Sequence, residues 1–462
     1  MSSAEIEIEL APYLAHAFGP ADAPFDPRPT ILAGAGLGTF TSADPASRPE
    51  PGEPNPAVAL APPATIDPVI ETARSRPDED SLPAMVDPAA DHEDRELVAR
   101  REDVQAKHAR IIAYLDRVNL DAVLLTRADS LAWFTAGGDF AIDGASESAC
   151  AFAYVDRRCR SLLADNVHGP RLFEEEVAGL GFQLKERPWT DDPDALPADL
   201  GRSRRIATDR PRPGYVEDEA GLRELRLPLT RLERQRLREL GRTLTLALEA
   251  TCRNFHPGET EAHVAGHLAH RLIREGVDPV VLRVAGDDRL ARFRQPTYKA
   301  AKIEQRATIA AVGRRHGLCA AATRTVAFGK LDGQVQADHA LAAMVGASCT
   351  YFSRPGEPVS QVFRRARRLY EKYDRPHEWT LDDQGVQIGY APRERTLHPE
   401  SPLIMAQGMA VAWSPAVGSA RSEDTVVVDA RGFEVVTEAQ DWPKLEVTVK
   451  GFAIPRPGIL RR

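Results

Sequence analysis

Cysteine is scarce and scattered: Cys150, Cys159, Cys252, Cys319 and Cys349 are the only five in 462 residues, an odd number with no CxxC pair. This excludes a disulfide framework and zinc-finger readings, and predicts a reduced compartment. No window holds the roughly 18 consecutive apolar residues that a membrane span needs. An excess of positive charge is also missing. The formal net charge is −9, so the chain has no general electrostatic reason to bind nucleic acid. The opening MSSAEIEIELAPYLAHAFG carries acidic residues where a signal peptide has a positive n-region, and it lacks a continuous apolar h-region. A cytoplasmic protein with neither a membrane nor a nucleic-acid partner is expected.

What is present is the texture of a soluble globular protein, 27% charged and 43% hydrophobic. The length suits two or three domains, since single cores seldom grow past roughly 250–300 residues. Residues 1–95 hold nearly half of the 36 prolines, as in ASRPEPGEPNPAVALAPPATIDP. Such a segment buries too little apolar surface to offset its ordering entropy, so a disordered Pro/Ala-rich arm is expected, with EIEIEL alternating like a short docking strand. Over 96–228 an amphipathic helix, VQAKHARIIAYLDRVNL, feeds a buried strand at Ala122 to Leu125. Strand-like runs CAFAYVD, SLLAD and GRSRRIATD follow, with a helix around RLFEEEVAGL between the last two, which means an α/β layer domain.

Residues 229–455 open on a long helix with Leu237, Leu240, Leu244 and Leu248 on one face. Thr260 is placed to N-cap a second helix, and strands with hairpins follow, including a turn at Arg314 to Gly317 and a pair around Ala430-Arg431-Gly432. The run Arg364, Arg365, Arg367, Arg368 accompanies an apolar stripe of Val362, Leu369 and Tyr373. A solvated helix face is the reading, with an anion or partner site as the alternative.

Four ordered segments, HPGETEAHVAGHL, GLCAAATRTVAFG, QGVQIGYAPRE, and GMAVAWSP followed by SEDTVVVDARGFEVVT, resemble the aminopeptidase P and creatinase family, which shares the pita-bread fold with methionine aminopeptidase. The resemblance covers about 220 residues. It implies an α/β N-terminal creatinase-like domain plus a C-terminal α+β pita-bread domain. In active relatives two aspartates, a histidine and two glutamates hold a pair of divalent ions that activate a shared water. The matching positions here are Ala310, Ala321, Val386, Ser414 and Glu423, so four of five have lost their ligand. Methyl and isopropyl groups offer no lone pair, and one remaining carboxylate cannot offset two divalent ions. No cofactor is expected; a single weak divalent cation between Asp382, Asp383 and Glu423 is the alternative. Metal-free creatinase uses a histidine where this chain has Gln295, which cannot act as a base at neutral pH.

The resemblance also implies a cleft bordered by Arg324, Tyr390, Arg393, Trp413 and Glu394, with Arg324 set to pair with Glu394 or Glu423 if its role is structural. These are the ligand-binding candidates, and Asp382, Glu423 and Glu394 the residual catalytic ones. His263, His267 and His270 share one helix face but lack the glutamate of a metalloprotease helix, so they read as solvated. Cys319 reads as a small buried cysteine. The expectation is therefore a peptidase-family protein that has lost metal-dependent hydrolysis and acts as a pseudoenzyme, a homodimer by the same resemblance, binding a peptide or small acyl ligand. The alternatives are an active Xaa-Pro-type metallopeptidase or amidinohydrolase, and a scaffold whose arm recruits partners.

Overall fold

A computed structural model describes residues 88–141 and 147–462. The expected arm and its EIEIEL strand lie outside the described residues except at their C-terminal edge. There a correction is needed, because helix α1 (Pro88–Val118) begins inside the stretch assigned to the arm. Proline is tolerated in the first turn, and the run HEDRELVARRED that follows consists mostly of helix formers.

The first layer continues through β1 (Ala122–Arg127), α2 (Ala128–Phe134), β2 (Ser148–Asp156), β3 (Arg160–Asp165), α3 (Gly169–Arg171), β4 (Gln183–Arg187), α4 (Ala195–Gly201), β5 (Ile206–Thr208), β6 (Val216–Glu217) and α5 (Glu219–Glu224). Its six strands form one mixed sheet in the order β4-β3-β2-β1-β5-β6. β1 is buried along nearly its whole length, as a central strand covered on both faces must be.

Two long helices, α6 (Arg231–Asn254) and α7 (Glu261–Arg274), open the second layer. Thr230 and Glu233 form a reciprocal capping box on α6, and the Thr260 side chain accepts the His263 N–H on α7. The four leucines of the α6 stripe are fully enclosed. They face the hairpin β8 (Arg306–Arg315) and β9 (Leu318–Ala327), where a Cβ on Gly313 would stand 2.7 Å from Val277 and touch Leu244. Glycine there lets the helix approach the sheet. The hairpin turns on His316 and Gly317, both at positive φ (50° and 73°), the backbone that matches strand twist in a two-residue loop.

The remaining elements are β7 (Asp278–Gly286), α8 (Asp287–Arg292), α9 (Gly333–Phe352), α10 (Val359–Lys372), β10 (Gly385–Gln387), β11 (Arg395–Thr396), β12 (Ala410–Trp413), β13 (Ala416–Val417), β14 (Ala420–Arg421), β15 (Asp424–Asp429), β16 (Gly432–Val435), β17 (Lys444–Val449), β18 (Phe452–Pro457) and β19 (Ile459–Arg461). The large sheet runs β11-β10-β12-β15-β9-β8-β7, with β16 beside β15 and β19 parallel to β9. α10 buries Val362, Phe363, Ala366 and Leu369 and turns Arg364, Arg367 and Arg368 outward. Arg367 stacks over Trp379 and Arg365 pairs with Glu357, so this is the solvated face the pattern suggested.

On α9, His339 is enclosed, with Nε2 3.0 Å from the Pro457 carbonyl oxygen and Nδ1 unpartnered. Burial lowers its pKa, opposed by that carbonyl and aided by Arg306 and Arg456. The folded value thus lies below the unfolded value of about 6.5, so the unfolded state takes up a proton first as pH falls. Stability present above about pH 6.5 is expected to decline below it. Chemical denaturation at stepped pH should show a steeper decline in the native chain than in His339→Leu; equal slopes would rule this out.

Candidate functional site

Strand register decides which side chains share a face. Ala310 lies opposite Thr323, Val312 opposite Ala321 and Thr308 opposite Thr325, so these six project to the same side of the β8–β9 hairpin. Gly313 and Arg324 fall on the other side, toward α6. β15 joins β9 through Asp424 opposite Ala322, which places Glu423 beside Thr323. The Thr323 hydroxyl donates to Glu423 Oε2 at 2.6 Å. Val386 on β10 pairs with Ala412 on β12, and Ser414 follows that strand directly. Ala310, Ala321, Val386, Ser414 and Glu423 therefore sit on or next to five neighbouring strands: β10, β12, β15, β9 and β8.

Beside Ala310 lies a cavity of ≈ 40 Å³ whose lining includes Arg283, Arg294, Thr308, Ser419 and Arg421. Arg421 forms an ion pair with Asp382, and its guanidinium also donates to the Arg294 and Ser414 carbonyls at 3.1 and 3.3 Å. Gln295 Nε2 donates to the same Asp382 at 2.7 Å, so the residue at the position of the creatinase base is a donor to a carboxylate. Asp383 pairs with Arg393 at 2.7 Å, and Arg294 with Glu378 at 2.7 Å. Burial pushes the Glu423 carboxyl above its usual range, while Arg421, the Thr323 hydroxyl and Arg283 pull it back.

These residues do not fit a pair of divalent ions. Ala310, Ala321 and Val386 supply no donor atom, Asp382 is neutralised by Arg421, and the charged side chains lining the cavity are guanidinium groups. Among the described residues no group of three or more His, Cys, Asp or Glu side chains could hold a metal ion. Asp382, Asp383 and Glu423 each have a partner of their own instead of converging.

Several cleft candidates lie elsewhere. Arg324 is fully enclosed and contacts Glu249 and Asp424, each at 3.4 Å, not Glu394 or Glu423. It sits one residue beyond Thr323, and strand alternation turns it to the opposite face. Tyr390 is buried; its hydroxyl donates to Glu233 Oε1 at 2.7 Å and its ring lies beneath the Lys107 ammonium. Glu394 is walled in by Arg226 at 2.7 Å and by the Tyr390 and Ala391 N–H groups, which accounts for its acceptor capacity. Trp413 is core: its Nε1 donates to Ser353 Oγ at 2.8 Å, and it fills the space above Gly385, where a Cβ would come within 2.5 Å of its ring. Arg393 is exposed.

Other expectations are met. His263, His267 and His270 are all exposed on α7. Cys319 is fully enclosed, its thiol pushed up by burial, which removes any nucleophilic role.

Three features escaped the sequence reading. Arg421 stands two residues before Glu423, a spacing that could have flagged a cation beside the surviving acid. Lys107 is fully buried between Asp103 at 2.5 Å and Glu233 at 2.6 Å, and donates to the Trp133 carbonyl at 2.7 Å. Arg226 joins Glu394 to Asp129 at 2.9 Å. Both clusters link the first layer to the second, and apart from the i,i+4 spacing of Asp103 and Lys107 nothing local in the sequence marks them.

A sequence profile described as metallopeptidase family M24 matches residues 235–430. No curated protein sequence matches the chain. Among solved structures, the prolidase from Pyrococcus horikoshii OT3 superposes with a TM-score of 0.63 at 15% identity, over 72% of this chain and 99% of that one. The dipeptidase PepE from Mycobacterium ulcerans gives 0.63 at 18% identity, over 78% and 99%. The N-terminal domain of FACT complex subunit SPT16 from Cicer arietinum (chickpea) gives 0.59 at 15% identity, over 74% and 97%. At such identities the likeness shows the fold, and it is the expected one: an α/β N-terminal domain followed by an α+β pita-bread domain. No helix among the described residues is long and apolar enough to cross a membrane.

Proposed function

We infer, from a chain whose residues 235–430 match metallopeptidase family M24, that the metal-dependent hydrolysis of such proteins has been given up and the site retained to hold a small ligand. One observation carries this reading. Arg421 is ion-paired to Asp382 beside positions whose side chains, Ala310 and Ala321, cannot bind a cation. A fixed guanidinium there would repel a divalent ion and replace the charge it would bring. Gln295 supplies no base for a metal-free route. The cavity of ≈ 40 Å³ has room for a terminal acyl or acid group rather than for a whole peptide. The proposal includes a homodimer, to be read from light scattering on the eluted peak.

The test joins metal analysis of the purified full chain with an Xaa-Pro dipeptide assay supplemented with manganese, cobalt or zinc. Substoichiometric metal and no turnover are expected. Stoichiometric metal, or turnover that disappears in Glu423→Ala, overturns the reading and returns the chain to the hydrolases.

A further inference from the structure

The cavity beside Ala310 has a one-sided charge. Its charged lining side chains are Arg283, Arg294 and Arg421, and no carboxylate lines it. The nearby acids stand behind this lining: Asp382 is tied to Arg421, Glu378 to Arg294, and Glu423 accepts the Thr323 hydroxyl.

Donor capacity remains after these pairings. The Arg283 guanidinium makes no hydrogen bond or close ion pair with a described residue. Arg294 Nη1 is shielded from solvent and has no hydrogen-bond partner. Ser419 Oγ accepts from Arg306 Nη2 at 2.9 Å, so its own proton is free to be donated inward. Buried donors left unmatched cost stability, and a guanidinium fork is shaped to meet two oxygens at once. The volume of ≈ 40 Å³ exceeds the roughly 10–15 Å³ that one water requires, and so admits a group with several oxygens.

We propose that this cavity binds a small oxyanion group, a carboxylate or a phosphate, gripped by Arg283, Arg294 and Arg421 with the Ser419 hydroxyl. The proposal rests on the non-hydrolytic reading above and names the ligand class for the same site. The charged side chains that line this cavity are guanidinium groups, which suit an anion and not a cation.

The full chain should be titrated calorimetrically with sodium phosphate and with sodium acetate, against sodium chloride at matched ionic strength. One oxyanion bound per chain is expected, with the preference between phosphate and acetate naming the source. Arg283→Gln should weaken binding by about tenfold or more while changing the Tm in chloride far less, because that side chain makes no hydrogen bond or close ion pair with a described residue and acts on Glu423 only at longer range. Ala310→Val, which narrows the cavity without altering charge, should weaken it as well. Equal response to chloride, or undiminished binding in both variants, overturns the site. A parallel manganese titration keeps the two readings apart: stoichiometric uptake overturns the non-hydrolytic reading, whereas loss of the oxyanion response alone overturns only this one.

Discussion

Lys107→Met is expected to remove about 3–5 kcal/mol of folding stability, the loss typical of a buried ion pair deprived of one partner. The Lys107 side chain has 0% exposure, and Asp103 and Glu233 have 3% and 1%. Methionine fills the stem's volume but leaves two enclosed carboxylates facing each other. Glu233 keeps the Thr230 N–H and the Tyr390 hydroxyl, whereas Asp103 Oδ2 has no hydrogen-bond donor to replace the ammonium. The cluster joins α1 to α6 and to Tyr390, so its loss should loosen one layer from the other. Denaturant midpoints give the measurement, and the companion Lys107→Met/Glu233→Gln should recover part of the loss, because it removes one of the stranded charges. A loss below about 1 kcal/mol, or no recovery in the double variant, would show that the cluster is solvated rather than enclosed.

What was legible in the sequence was local. The stripe Leu237, Leu240, Leu244 and Leu248 announced the α6 face, Thr260 announced a helix start, and the turn before Leu318 fell where it was placed, since periodicity and turn chemistry are written into neighbouring residues. The lack of donor atoms at Ala310, Ala321 and Val386 was legible too, because a methyl group cannot be mistaken for a carboxylate. What failed was the direction of side chains near those positions. The family pattern sets Arg324 at the cleft, although alternation after Ala321 and Thr323 turns it away. The same pattern sets Tyr390, Glu394 and Trp413 there; their partners Glu233, Arg226 and Ser353 are distant in sequence, and only the folded chain brings them together. Arg421 pairs with Asp382, which lies 39 residues away in the sequence, so its place at this site shows only in the folded chain.

Asp424→Ala is expected to cost a similar amount, about 3–5 kcal/mol, and its neighbour Glu423 almost nothing. Asp424 is 1% exposed; Oδ2 meets Arg456 at 2.7 Å, and Oδ1 meets Arg324 at 3.4 Å and accepts the Thr437 hydroxyl at 2.9 Å. Truncation leaves two enclosed guanidinium groups with only Glu249 between them, and Arg456 already has Nε and Nη1 unpartnered and its pKa lowered by burial. The adjacent acid faces the other way. Burial raises the folded pKa of Glu423, so its ionised form disfavours the fold, and stability is lost as pH rises through that value. Glu423→Gln keeps an acceptor for Thr323 and removes the charge, so near neutral pH it should leave the denaturation midpoint unchanged or raise it. The pair thus separates two roles within the tetrapeptide Ser422 to Thr425: one carboxylate holds the core together, and the other makes no such contribution. If Glu423→Gln destabilises the chain as much as Asp424→Ala, Glu423 is a structural anchor and that division of roles is wrong.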